Sequence, residues 1–551
     1  MGSCGPAIEI ANGTLLGSRS TTNDLDLFLG IPYAAPPVGD LRLRTPTPHD
    51  GWNGIRDATS HGPWCFGNPI NLQGFSQNFT KTMSEDCLHI NIIRPAGVNA
   101  TARLPVVAWI HGGAFADGSA ADERADGTFL VQRSIAMETP VIFASFNYRL
   151  GQFGMIAGSV SRQAGVTNLN LRDQRQALRW IQENVEAFGG DPSRVTIMGE
   201  SAGAGSVGFH LLAFGGRDEG LFSAAIIQSG GPFMHAVVSR SVAEQDQDFN
   251  SVLTATGCTG AQDPLTCLRS VPAEALNSAG ARLPPSVDVD GDLIPESTID
   301  AMREGRFVPV PLLAGSNLNE GTAFVLQRST SPINTDQDFQ AFVRGILGGI
   351  DVEDDIIQNW TRLYQDEVDN PSAAGLGTVE ANPGPTLGAL YGKTTLWMGD
   401  FMFTACRRVA NQAWAAQGIP SYGFLFDAVP ANHDAKTVGV AHFMEIPYTF
   451  GNTGSKGWEG DPFPADPTER EKHLQLVELM SSMWISFVTS GTPNSHKIQG
   501  FDVDWPVYNN TDPTHMQFSA LDGSRMEADT WRSEAIELFA KIASNAPSAQ
   551  E

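Results

Sequence analysis

Short, unbroken apolar runs that end in small residues set the pattern of this chain. LPVVAWI at 104–110 is apolar throughout and runs straight into His111-Gly112-Gly113-Ala114. A run of that length without polar alternation predicts a strand. Val195-Thr196-Ile197 is β-branched and predicts a second, buried strand, which delivers the chain into Gly199-Glu200-Ser201-Ala202-Gly203. The small and apolar residues that follow, through His210, predict a helix. PVPLLA at 309–314 and YGFLF at 422–426 predict two further strands, the first leading into GSNLNEG at 315–321. EREKHLQLVELM, around His473, has helical spacing and a charged face, which puts that histidine in solvent.

At ~150 residues per domain, length alone suggests roughly three or four units. The 57 Gly and 34 Pro of the 551 residues are spread along the whole chain, and no repeat or Pro- or Ser-rich linker separates two cores. That favours one loop-rich domain with insertions. The segment 370–385 (NPSAAGLGTVEANPGP) reads as a surface loop. Hydrophobic residues make up 41% and charged residues 17%, enough to bury a large core. With 35 Lys+Arg against 61 Asp+Glu the net charge is −26, which argues against nucleic acid or an anionic membrane as partner. No run approaches the ~18 apolar residues of a membrane span.

Cysteines stand at 4, 65, 87, 258, 267 and 406, and Asn-X-Ser/Thr sequons at Asn12, Asn78, Asn99, Asn359 and Asn509. The sequons are modest support for a secreted glycoprotein. Met1-Gly2-Ser3-Cys4-Gly5-Pro6 lacks the charged start and apolar core of a signal peptide. Residues 1–5 read as an added or mature N-terminal extension left after a leader was removed.

The most informative segment is the predicted strand–turn–helix around Ser201. Glycines on both sides let the chain turn sharply and keep side chains off the serine, so its hydroxyl stands exposed. The helix that follows aims backbone N–H groups at the same point. His111-Gly112-Gly113-Ala114, at the end of the 104–110 strand, can turn further N–H groups outward, as an oxyanion hole requires. Together the two segments point to acyl transfer with a serine nucleophile.

In that architecture the order along the chain is Ser, then Asp/Glu, then His. The histidines after Ser201 are His210, His235, His433, His442, His473, His496 and His515. His210 falls in the helix after the turn and reads as packed. His433, in PANHD, reads as a surface histidine in a polar turn. His442, in VGVAH, has a small apolar setting that suits a base in a dry site, so the pattern favours it while leaving His433 open. For the acid, Glu320 lies on the loop after the 309–314 strand, placed to orient an imidazole. Asp288-Val289-Asp290-Gly291-Asp292 lacks the Gly and the closing Glu of a calcium loop and reads as a hairpin turn.

These residues resemble the type-B carboxylesterase family, the α/β-hydrolases that include cholinesterases and fungal lipases. The resemblance runs through FLGIPYAAPPVG (28–39), SEDCLHIN (84–91), DQRQALRW (173–180), FGGDP (188–192), GESAG (199–203), GSNLNEG (315–321) and HFMEIPYTFG (442–451). It implies an α/β fold: a large, mostly parallel central sheet flanked by helices, a single domain over 1–551 with loop and helical insertions. It implies Ser201 as nucleophile, His442 as general base and Glu320 as acid. Gly113, Ala114 and Ala202 would supply the oxyanion N–H groups, Ala114 departing from the family's commoner Gly-Gly-Gly loop. The family's cysteine pattern implies disulfides Cys65–Cys87 and Cys258–Cys267, with Cys4 and Cys406 outside it. No metal or cofactor is implied, and the partner is a small-molecule ester.

In the cholinesterases the loop matching Cys65–Cys87 supplies a tryptophan to the choline cation. Residues 66–86 carry Phe66, Phe75 and Phe79 but no Trp, which speaks against choline esters. The same loop is short and polar for an interfacial lid. A secreted esterase with an apolar acyl pocket is favoured; a lipase or sterol esterase is the alternative. A catalytically idle adhesion protein of the same fold is disfavoured, because Ser201, Glu320 and His442 are all present.

Overall fold

The predicted apolar runs become neighbours in one sheet. A computed structural model describes residues 5–77, 81–232, 240–285, 287–348, 350 and 352–543. Eleven strands make the main sheet: β1 (Ser18–Ser20), β2 (Leu25–Pro32), β3 (His89–Pro95), β4 (Leu104–Ile110), β5 (Ile142–Phe146), β6 (Gly190–Glu200), β7 (Ala224–Gln228), β8 (Leu312–Asn317), β9 (Ser421–Phe426), β10 (Thr514–Phe518) and β11 (Arg525–Ala528). Their order is β11-β10-β9-β8-β7-β6-β4-β5-β3-β2-β1. From β5 through β4 to β10 every neighbouring pair is parallel, and the pairs toward each edge are antiparallel. Helices cover both faces of the parallel part, so β5, β7, β8 and β9 are buried at every position and β4 at all but its first. This is why they read as continuous apolar runs and do not alternate.

The register brings the carboxyl ends of five strands together: Gly199 pairs with Ile110, Glu200 with Gln228, Gln228 with Gly315, and Asn317 with Phe426. Crevices at the carboxyl ends of parallel strands are where such sheets bind ligands.

Helices used below are α1 (Ala202–Gly216), α2 (Gly321–Arg328), α3 (Ala405–Ala416) and α4 (Pro467–Ser490). α4 corrects the reading of His473. Only its first turns carry the charged run, and His473 shares an inward face with Leu476, Val477 and Met480. The ring is buried, its Nδ1 lies 2.6 Å from the Tyr448 hydroxyl, and burial lowers its pKa to about 4. The segment Asp288–Asp292 is an irregular bend with no paired strands, not a hairpin. Its carboxylates are drawn to a neighbouring segment: Asp288 pairs with Arg162, and Asp290 accepts from Thr167 and Asn168. The 370–385 segment carries no regular structure.

Disulfides join Cys65 to Cys87 and Cys258 to Cys267. Cys406 is buried in α3, and Cys4 lies outside the described residues. Asp529, fully buried, anchors the far end of the sheet to α3. It accepts from Arg407, from Arg408 (2.8 Å) and from the Tyr508 hydroxyl (2.8 Å), and His515 Nδ1 lies 3.6 Å away. The two guanidinium groups hold its carboxyl well below the usual range against the opposing effect of burial. No helix among the described residues is long and apolar enough to cross a membrane.

Candidate active site

Ser201 occupies the turn between β6 and α1 at φ 58° and ψ −123°, a left-handed backbone that L side chains rarely adopt. Such a conformation costs roughly 1–3 kcal/mol and persists only where the surroundings enforce it. They do so here by close packing. A Cβ on Gly203 would sit 2.0 Å from the Ile110 carbonyl oxygen, and one on Gly199 would sit 2.4 Å from the backbone of Gly203. The helix therefore crosses the ends of β4 and β6 at a distance only glycine allows. Ser201 N–H donates to the Gln228 carbonyl (3.0 Å), and Gly205 N–H donates to the Ser201 carbonyl (2.9 Å).

His442 arrives on the long connection after β9. Its buried ring stacks on Phe403 at 4.3 Å, with Phe324 edge-on at 5.3 Å. Nδ1 lies 2.7 Å from Glu320 Oε2. Nε2 has no hydrogen-bond partner among the described residues and stands 3.1 Å from Glu200 Oε1. Glu320 immediately precedes α2 and receives the Asn317 N–H on Oε1 at 2.7 Å. Gly321 is needed because a Cβ there would lie 2.0 Å from the Thr395 carbonyl oxygen.

The loops bearing Glu320 and His442 are laced together. Asn319 exchanges bonds with Val440, and Asn317 Nδ2 donates to the Ala441 carbonyl (2.9 Å) and to Glu445 Oε2 (2.8 Å). Glu445 Oε1 in turn accepts from Gln228 Nε2 (3.0 Å), whose Oε1 accepts from the Trp484 indole N–H (3.0 Å). Sequence reasoning missed Asn317, Asn319, Gln228 and Glu445. Two asparagines bracketing Glu320 in GSNLNEG were visible, but the partners they reach lie more than a hundred residues away. It also passed over Glu200. That carboxyl is buried with neither oxygen hydrogen-bonded among the described residues, and burial raises its pKa well above the usual range, helped by the nearby charges of Glu445 and Glu320. Burial, then Glu320, raises Glu445 as well.

After β4, Gly113 and Ala114 both take positive φ (101° and 53°), and no acceptor among the described residues takes their N–H groups. Ala202, the first residue of α1, has no intrahelical acceptor for its own. His111 is a packed residue: it stacks on Tyr148 at 4.3 Å, and burial lowers its pKa to about 4.

The remaining histidines are held elsewhere. His210 Nε2 lies 2.8 Å from Gln174 Oε1 within the core, and His496 packs on Phe501 at 5.8 Å. His433 is half-buried, not a surface group, and lacks any hydrogen-bond partner among the described residues. His235 lies outside them. Among the sequons Asn99 and Asn509 are exposed, Asn12 and Asn359 are half-buried, and Asn78 lies outside the described residues. No group of His, Cys, Asp or Glu among the described residues is placed to hold a metal.

Ser201, Ala202 and Ala114 line one cavity of about 560 Å³, whose walls include Ile70, Leu72, Phe324 and Phe403. Phe66 and Phe75 of the Cys65–Cys87 loop do not reach it: Phe66 stacks on Phe153 at 5.7 Å and Phe75 meets Phe443 at 5.1 Å.

A parallel sheet carrying a strained serine between strand and helix, with a Glu–His pair at the ends of the next strands, defines an α/β-hydrolase. The chain matches the carboxylesterase family over residues 5–532, and it belongs to that family as a carboxylic-ester hydrolase. It is 32% identical to Lipase 5 of Diutina rugosa over 94% of this chain and 92% of that protein. Lipase 2 of Geotrichum candidum is 37% identical, over 59% of this chain and 64% of the lipase. The crystal structure of Aspergillus niger EstA superposes with a TM-score of 0.83, at 27% identity, covering 99% of this chain and 100% of that one.

Proposed function

We propose that this protein is a serine carboxylesterase in which Ser201 is the nucleophile, His442 the general base and Glu320 the residue that orients it. The observation that carries this reading is the state of the His442 ring. One nitrogen is held by Glu320 at 2.7 Å, and the other is left without a hydrogen-bond partner. That leaves Nε2 available to take the Ser201 proton as Oγ attacks the ester carbonyl. The N–H groups of Gly113, Ala114 and Ala202 receive the oxyanion, each such donor being worth about 3–4 kcal/mol of barrier. His442 then gives its proton to the leaving alcohol, and water repeats the sequence on the acyl-enzyme. Ala114 adopts a positive φ despite its Cβ, so the departure from Gly-Gly-Gly is compatible with the turn the mechanism needs.

A p-nitrophenyl alkylphosphonate tests the assignment. One equivalent of p-nitrophenol is expected, together with a phosphonyl adduct that peptide mass mapping finds on Ser201. An adduct elsewhere, or none while ester turnover continues, overturns it.

The names of several relatives favour a second reading, a lipase. Ile70 and Leu72 of the Cys65–Cys87 segment give the cavity wall an apolar lining, but no helix forms between those cysteines among the described residues. We expect tributyrin hydrolysis to saturate below the solubility limit and to pass through it smoothly. A jump in rate at the emulsion would move the assignment to a lipase. Two disulfides, the exposed sequons Asn99 and Asn509, and a relative described as Secreted lipase 1 of Botryotinia fuckeliana support an extracellular location.

A further inference from the structure

All 35 lysines and arginines lie among the described residues. All but two have a carboxylate, a hydrogen-bond acceptor or an aromatic ring as partner among the described residues. The two exceptions, Arg282 and Arg328, line the same cavity as Ser201. In a chain of net charge −26, carboxylates are abundant, so two arginines left without one in a single cavity are not explained by a shortage of partners.

The cavity's other charges are already engaged. Arg240 pairs with Asp248 at 2.9 Å, and the Glu244 carboxylate accepts from the backbone N–H (2.9 Å) and hydroxyl (2.8 Å) of Ser241. Solvent reaches Arg328 from the cavity, yet the protein around its guanidinium lowers its pKa, and no neighbouring carboxylate offsets the effect. Most of the remaining lining is apolar, Ile70, Leu72, Phe324 and Phe403 among it, and offers a long acyl or alkyl chain a place to lie.

We infer that the cavity accepts esters carrying a second, ionised carboxylate, which Arg282 and Arg328 hold on the solvent side while Ser201 meets the ester carbonyl. The inference rests on the reading of Ser201 as nucleophile. Guanidinium groups match a carboxylate through two parallel N–H···O bonds, which gives direction as well as attraction. Arg328 ends α2, which begins beside Glu320 and runs about 12 Å at 1.5 Å per residue. The second carboxylate therefore lies several bonds from the ester. The negative charge of the whole protein repels anions at a distance, so selection must come from these two side chains at close range.

Mono-p-nitrophenyl esters of suberic and sebacic acid, each compared with its methyl-capped neutral counterpart, test this. For the wild-type enzyme kcat/KM is expected to be about tenfold or more higher for the free acid. In Arg282→Gln/Arg328→Gln that ratio falls to about one, and each single variant is intermediate. The ratio is internal to each protein, so a variant that folds in part still reports it through its active fraction. A wild-type ratio near or below one, or an unchanged ratio in the double variant, overturns the inference. Failure of the wild type to turn over p-nitrophenyl butyrate would instead overturn the esterase reading beneath it.

Discussion

Replacing His442 by Ala is expected to lower kcat/KM for p-nitrophenyl butyrate by about ten-thousandfold or more, whereas His433→Ala should leave it within about threefold. The size follows from what the imidazole does. Without it the Ser201 proton in the proposed mechanism is left without an acceptor and the leaving alcohol without a donor. Group-wise removal in such triads is not additive, so Ser201→Ala and the Ser201→Ala/His442→Ala double variant should fall to the same residual rate. His442→Ala also strips Glu320 of its 2.7 Å partner in a buried setting. His442→Asn, which can still donate to that carboxylate, separates lost chemistry from lost structure. Both variants should be inactive, and the Asn form should melt closer to wild type. Full activity in His442→Ala, or inactivity in a well-folded His433→Ala, would reverse the assignment of the base.

The largest stability effect is expected at Asp529. It is the shared acceptor of Arg407, Arg408 and Tyr508 in a fully buried site, so Asp529→Ala leaves two guanidinium groups desolvated with no counter-charge. Breaking one partner from a buried ionic cluster costs roughly 3–5 kcal/mol, although replacing the whole cluster with apolar residues is often close to neutral. Asp529→Asn keeps the shape but removes the charge and should fall between Ala and wild type. The pH dependence has a definite sign. Because the folded-state pKa is depressed, the carboxylate contributes stability that is fully present above its unfolded value near 3.9 and is lost as pH falls through the folded value. The difference in denaturant midpoint between wild type and Asp529→Asn should therefore be largest above about pH 5 and narrow progressively as pH falls below the unfolded value. A constant difference across that range would mean the effect is packing alone.

The strands that build the centre of the sheet could be read from the sequence because burial on both faces leaves an uninterrupted apolar record. β4 starts and ends where LPVVAWI does. β7 is harder to read: AAIIQ is as apolar as its neighbours, but its Ala residues weaken the β-branched signal. Ser201 stood out because its constraint is local, two glycines and a strand–helix junction. Pattern favours His442 but leaves His433 open, since the deciding difference lies in a contact with Glu320 that spans 122 residues of chain. His473 reads as solvated because the four charged residues just before it dominate a short window, while helical phase decides which way the ring points. The asparagine lacing and the cluster at Asp529 were invisible for the same reason. A hydrogen-bonding side chain announces its type in the sequence, but not the partner that satisfies it.

Gln228 gives the machinery a common datum. Its carbonyl fixes the height of Ser201, and its side chain, through Glu445, fixes the loop that carries His442. Two groups that the proposed mechanism brings together across one hydrogen bond are thus gauged from the same reference point, not assembled from independent tolerances. A distortion that shifts β7 carries Ser201 and His442, the proposed nucleophile and base, along together, so their alignment depends less on the rigidity of the whole sheet than on one residue at its centre.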